Sequence, residues 1–174
     1  MLISNKRALK VGVMTAAVLG IAFTSCKKDD AVTPPPPAAR SKTFQLSGAG
    51  ADAAKTLGTV TILENNDKTV NVTLTLAKST KDAAHQLYFV FGPKTAPTTD
   101  TLLAKEIKGT GAEMKEIELF SKVSTIKVRQ AAGASKDTAF KFDNAVAYAA
   151  HLKVMQNKTS TDTLAIGNFG KSAN

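Results

Sequence analysis

The stretch "KTVNVTLTLA", residues 68–77, decides the fold class. In an extended chain Val70, Val72, Leu74 and Leu76 fall on one face, and Thr69, Asn71, Thr73 and Thr75 on the other. Side chains alternate sides along a strand, so this is a strand with one buried face and one solvated face, as in an antiparallel sheet. "GTVTILE" precedes it and "NND" lies between, so residues 58–77 read as a β-hairpin. "HQLYFVFG" is a third strand and ends at the loop signal Gly92-Pro93. "LLAKEIK", "EMKEIELF", "TIKVRQ", "HLKVMQ" and "TLAIGNF" continue the series. "DNAVAYAA" is the one helical turn expected, with Asp143 as its cap. Short strands at this spacing predict an all-β sandwich or barrel, without repeats or heptads.

The chain begins differently. Lys6, Arg7 and Lys10 precede an uncharged apolar run over residues 11–23, the layout of a secretory signal. The run is too short for a transmembrane helix, which needs about 20 apolar residues. It stops at "FTSC", where Cys26 is the single cysteine of the 174 residues. "FTSC" resembles a bacterial lipobox, with Thr24 and Ser25 at the small positions and Phe23 where an aliphatic is usual. The resemblance implies cleavage before Cys26 and acylation of its new amino terminus. Several acyl chains would then anchor the protein to the bilayer, which one chain cannot do stably. Lys27, Lys28, Asp29 and Asp30 resist burial, which argues against a core cysteine. "SCKKDD" resembles lipoproteins of the Bacteroidota that are exported to the cell surface. Pro34 to Pro37 exclude a helix or a central strand, so the segment is an extended spacer. The expected organisation is a signal at residues 1–25, a lipidated cysteine and Pro-rich linker at 26–41, and one folded domain at 42–174. The expected location is the cell envelope, as an outer-membrane lipoprotein facing the surface.

Charge and composition exclude several functions. The net charge of +9 includes three signal residues, which leaves +6 on the processed chain. Lys55, Lys68, Lys78, Lys81 and Lys94 are scattered through loops, and there is no tryptophan and only two tyrosines. A nucleic-acid groove needs clustered cations interleaved with aromatics, so no nucleic-acid partner is expected. A diffuse basic surface suits weak contact with anionic lipid or polysaccharide. Hydrolase elbows, phosphate-binding Gly-rich loops and zinc-helix motifs are absent from the sequence. Glu116 and Glu118 share a strand face and read as its solvated side, alternating with Ile117 and Leu119.

The order of motifs carries a family resemblance. The hairpin "LGTVTILENNDKTVNVTLTLA" is followed by a strand opening with His85, then by "FKFDNAVAYAAHLKVMQN" and the closing "GNFG". Over residues 44–170 this resembles the CHRD domain family. The resemblance implies a Greek-key β-sandwich similar to copper/zinc superoxide dismutase. Members carry a His-Pro-x-His-Ile-His pattern on one strand and a Val-His pattern on a late strand. Here His85 keeps the first histidine, Gln86 replaces the proline, Tyr88 and Val90 stand at the His-x-His pair, and Met155 takes the late position. On this alignment the facing histidines are gone. Copper and zinc need several converging nitrogen, sulfur or carboxylate ligands, so no metal cofactor is expected. His85 shares a face with Leu87, Phe89 and Phe91 and is expected beside the core. His151 is out of phase with Leu152 and Val154 and is expected to face solvent. A soft copper site from Met155, Tyr88 and His85 is the weaker alternative.

Thr101, Thr138 and Thr163 each follow an aspartate in "DTL", "DTA" and "DTL", which resembles the O-glycosylation sequon of the same phylum. Each is expected in a loop or at a strand start; the alternative is an ordinary Asp-Thr turn pair. Two functions follow. The first is a non-enzymatic, monomeric envelope lipoprotein offering a degenerate CHRD-like sandwich to a protein or glycan. The second is a metal-binding redox or carrier protein with altered ligands.

Overall fold

The computed structural model describes residues 39–173; the signal, Cys26 and nearly all of the linker lie outside the described residues. The described chain is all-β and sandwich-like. Its strands are β1 (Ser41–Ser47), β2 (Thr56–Glu64), β3 (Val70–Leu76), β4 (Ala84–Phe91), β5 (Thr101–Lys108), β6 (Met114–Val123), β7 (Thr125–Arg129), β8 (Ser135–Ala139), β9 (Ala149–Met155) and β10 (Thr163–Gly170). One helix, α1 (Phe142–Ala147), precedes β9. The strands form a single antiparallel sheet in the order β6-β3-β2-β1-β10-β9-β4-β5-β7-β8.

The expected hairpin is β2–β3, in register from Gly58↔Leu76 to Glu64↔Val70. Its turn is closed by the Asn65 N–H donating to the Thr69 carbonyl at 2.8 Å. Val70, Val72, Leu74 and Leu76 are fully buried, whereas the threonines between them are only half-buried. The period of two therefore places the core.

The sheet curls until its faces meet. Phe89 of β4 lies 6.3 Å, centroid to centroid, from Phe120 of β6, although these strands hold the seventh and first places in the sheet order. Phe89 also meets Phe169 of β10 edge-on at 4.9 Å, and Phe169 meets Phe44 of β1 at 4.4 Å. Such pairs contribute about 0.5–1.5 kcal/mol each beyond their burial. The Lys105 ammonium of β5 donates to the Glu118 carbonyl of β6 at 2.7 Å and bridges the two approaching strands. From β3 the chain crosses to β4 and β5, then returns as β6 to pair with β3, a Greek-key path. β7 follows β6 directly and meets β5 only at Thr101↔Arg129, so the β7–β8 hairpin spans from one to the other with Ile126 and Val128 turned inward.

Three local expectations are revised. β1 and β8 are strands that the sequence pattern did not reveal. Asp143 does not cap α1: Lys141 holds the cap position without a side-chain bond. Asp143 instead accepts two bonds from Arg40, at 2.8 and 3.1 Å. The domain also begins earlier than residue 42. Arg40 forks onto Glu64 at 2.7 and 2.9 Å and lies 4.6 Å over the Phe142 ring, and Ser41 opens β1. A guanidinium can serve two carboxylates and a ring at once because its donors are planar and forked. Arg40 thus clamps the start of β1 to the β2–β3 turn and to α1.

Candidate functional site

The histidines come first, because they carry the metal question. His85 is fully buried on the core face of β4, as its phase with Leu87 and Phe89 predicts. Its Nδ1 lies 3.1 Å from the Met155 carbonyl, and its Nε2 lies 3.1 Å from the Thr80 backbone nitrogen. A carbonyl can only accept and an amide N–H can only donate, so Nδ1 carries the proton and Nε2 is the acceptor. Both ring nitrogens are thereby engaged, and His85 ties β9 to the loop before β4. Gly109 makes room for this arrangement. A Cβ there would sit 2.0 Å from the Thr80 carbonyl oxygen and 2.8 Å from His85 Nε2.

His151 does not face solvent; only 5% of its surface is exposed. The period assigned it correctly to the outer face of β9, but that face is covered locally. Gly92 turns the chain after β4 at φ +87, and its carbonyl accepts from His151 Nδ1 at 2.8 Å. Asn168, the cross-strand neighbour of His151 on β10, adds a second pin: its Oδ1 accepts from the Lys94 N–H at 2.8 Å. Together they hold the loop that follows β4 onto the sheet. Periodicity reports the side of a sheet, not what later folds over it.

Tyr88, Val90 and Met155 all lie on the outward side of the neighbouring strands β4 and β9. Tyr88 and Val90 share the outer face of β4, where Lys153 faces Tyr88 and His151 faces Val90. Met155 lies two residues beyond Lys153 on the same face of β9, diagonal to Tyr88, and the residue directly beside Val90 is His151. Of the residues of the soft copper alternative, His85 points inward from β4 whereas Tyr88 points outward and is 40% exposed. Among the described residues no three His, Cys, Asp or Glu side chains group closely enough to hold a metal ion.

Glu116 and Glu118 are both exposed, as read, but Glu116 has φ +52 and sits where the β3–β6 register slips. The pair is therefore not two steps of one regular strand. Thr101 and Thr163 open β5 and β10, matching the expected strand starts. Thr138 is instead inside β8, opposite Ile126, because the sequence did not reveal that strand. Cys26 lies outside the described residues.

The concave feature that the sequence did not suggest is a groove between β1 and β10. β1 pairs with β2 along its whole length and with β10 at Ser47↔Ile166, and the two strands stay in contact beyond that pair, since a Cβ on Gly167 would lie 2.2 Å from the Gln45 carbonyl oxygen. The groove beside them has a volume of about 360 Å³. Thr43, Gln45, Ser47, Lys94 and Asn168 are among its lining residues; the Thr43 hydroxyl bonds that of Thr61, and the Asn168 oxygen accepts from the Lys94 N–H. No acidic side chain lines it. Lys42 and Lys94 are exposed and in no ion pair among the described residues, as are Lys81, Lys122 and Lys136; the Lys42 ammonium lies 5.3 Å over the Phe44 ring, whereas Lys55 and Lys78 are both held by Asp52. Those two ammonium groups draw the Asp52 carboxyl down to about 2. The chain matches no family model, no curated protein and no solved structure.

Proposed function

We propose that this chain is a non-enzymatic cell-envelope lipoprotein. It anchors through acylated Cys26 and presents a CHRD-like sandwich as a binding module at the outer membrane. The state of the two histidines carries the non-catalytic reading. His85 has both ring nitrogens committed to backbone groups, and His151 has one committed to the Gly92 carbonyl. The side chains facing His151 across the strands are Val90 and Asn168, and the Asn168 oxygen is engaged by the Lys94 N–H. Among the described residues neither histidine hydrogen-bonds an acid or a nucleophile or groups with further metal ligands, the partners that acid–base, covalent or metal-assisted catalysis requires. The basic start, the apolar run ending at Cys26 and the four prolines support the anchoring.

Two measurements on the full chain test this. Cells fed a labelled fatty acid should incorporate label into the parent protein and not into Cys26→Ser. An unlabelled, soluble parent would overturn the anchoring. Elemental analysis of the purified protein should find no stoichiometric copper or zinc; one equivalent that resists dialysis would overturn the non-catalytic reading.

A further inference from the structure

We propose that the Arg40–Ser41 bond is a latent processing site for a protease that cleaves after arginine, and that the Arg40 clamp keeps it closed. Cleavage adds water across the peptide bond, leaves a carboxylate on Arg40 and an amine on Ser41, and frees the folded domain from its tether. What release achieves rests on the anchoring proposed above; the gating of the bond does not.

Between Lys28 and Arg40 the chain has no lysine or arginine. Lys27 and Lys28 adjoin Cys26, where acyl chains in the bilayer would block a protease cleft that must grip residues on both sides of the bond. Arg40 is the first basic residue clear of that anchor, beyond the four prolines. Ser41 opens β1, so a cut before it leaves all ten described strands in one piece. The fold holds this bond shut at three points. The guanidinium, which such a protease must draw into its specificity pocket, forks onto Glu64 at 2.7 and 2.9 Å and onto Asp143 at 2.8 and 3.1 Å, and lies 4.6 Å over the Phe142 ring. The Arg40 carbonyl, the group attacked, accepts from the Glu64 N–H at 2.8 Å. Ser41 is paired with Leu63 in the sheet. A folded chain is cut through its local openings, and an unpinned strand end opens at almost no cost. Here opening must first break the charged fork on Glu64, whose side chain is only 8% exposed. The Arg40 side chain is 45% exposed, so a protease can take it once the clamp lets go.

The test exposes the full-length protein in detergent micelles to trypsin under native conditions, with products read by mass and by N-terminal sequencing. The parent should yield the fragment beginning at Ser41 slowly. Asp143→Asn, which breaks an exposed pair, should speed its appearance about threefold. Glu64→Gln with Asp143→Asn should speed it by about tenfold or more, since hydrogen bonds to charged groups are lost. Asp82→Asn with Asp137→Asn, which removes two ion pairs elsewhere, should change it by less than about twofold. Arg40→Gln should give no fragment beginning at Ser41. Should the Glu64 variant be cut throughout its strands, Asp143→Asn alone decides, because the Asp143 side chain is 77% exposed and its loss leaves the core untouched. Equal rates in the parent and Asp143→Asn would overturn the gate. A Ser41 fragment without a cooperative urea transition would overturn the release of a folded domain. Cys26→Ser should be cut at Arg40–Ser41 as the parent is, so failure of the anchoring and failure of the gate are separable.

Discussion

Replacing His85 by leucine separates a structural imidazole from a ligand. Leucine keeps the site apolar and nearly filled but cannot bond to the Thr80 N–H or the Met155 carbonyl, each 3.1 Å from a ring nitrogen. A stranded backbone group costs about 1–3 kcal/mol, so two set the range at about 2–6 kcal/mol. The His85 ring is fully buried, but Thr80 is exposed and its amide can regain water after a small loop movement. That places the expected loss near the lower end, about 2–3 kcal/mol, a substantial part of a domain's usual total of about 5–15 kcal/mol. His85→Gln, whose amide can both donate and accept, should recover part of it. Equilibrium urea unfolding of the full chain measures the loss, and amide exchange at Thr80 should accelerate in the leucine variant. Unchanged stability in His85→Leu would refute the two-bond account. A parent melting temperature that rises with added copper, and a leucine variant that does not respond, would identify His85 as a ligand instead.

Leu74→Ala should destabilise by about 2–5 kcal/mol, because Leu74 is fully buried mid-strand between Val60 and Ile117. Thr73→Ala, on the half-exposed face, should cost far less, and equal urea-midpoint shifts would refute the two-faced strand. Acid should weaken the domain through Glu64 and Asp52. The Arg40 guanidinium, through its hydrogen bonds, holds the Glu64 carboxyl below its ordinary range, and Lys55 and Lys78 hold Asp52 at about 2. Both folded values lie below the unfolded ones, so the stabilisation is complete above the unfolded carboxylate values and disappears as pH falls through the folded ones. For Asp52 that window reaches down to about pH 2. Arg40→Met should flatten the loss between neutral pH and pH 3, and an unaltered pH profile would show that the clamp contributes nothing.

Much of the sheet was legible because a half-buried strand must alternate. That rule located β2, β3 and β4 and put His85 inward. It also indicated most of β5, β6, β7, β9 and β10. It failed at β8, "SKDTA", which has no apolar alternation because it is the last strand of the sheet and buries almost nothing. It also missed β1, whose two core residues, Phe44 and Leu46, are too few to set a period against the polar linker. The remaining decisions belonged to the tertiary structure, because each depends on contacts between residues far apart in the chain. Asp143 was free to cap its own helix until Arg40, 103 residues earlier, offered two charged donors. His151 was outward by phase until a glycine carbonyl 59 residues away covered it. Local side-chain alternation is written in the order of residues. What covers a face is set only when the sheet curls.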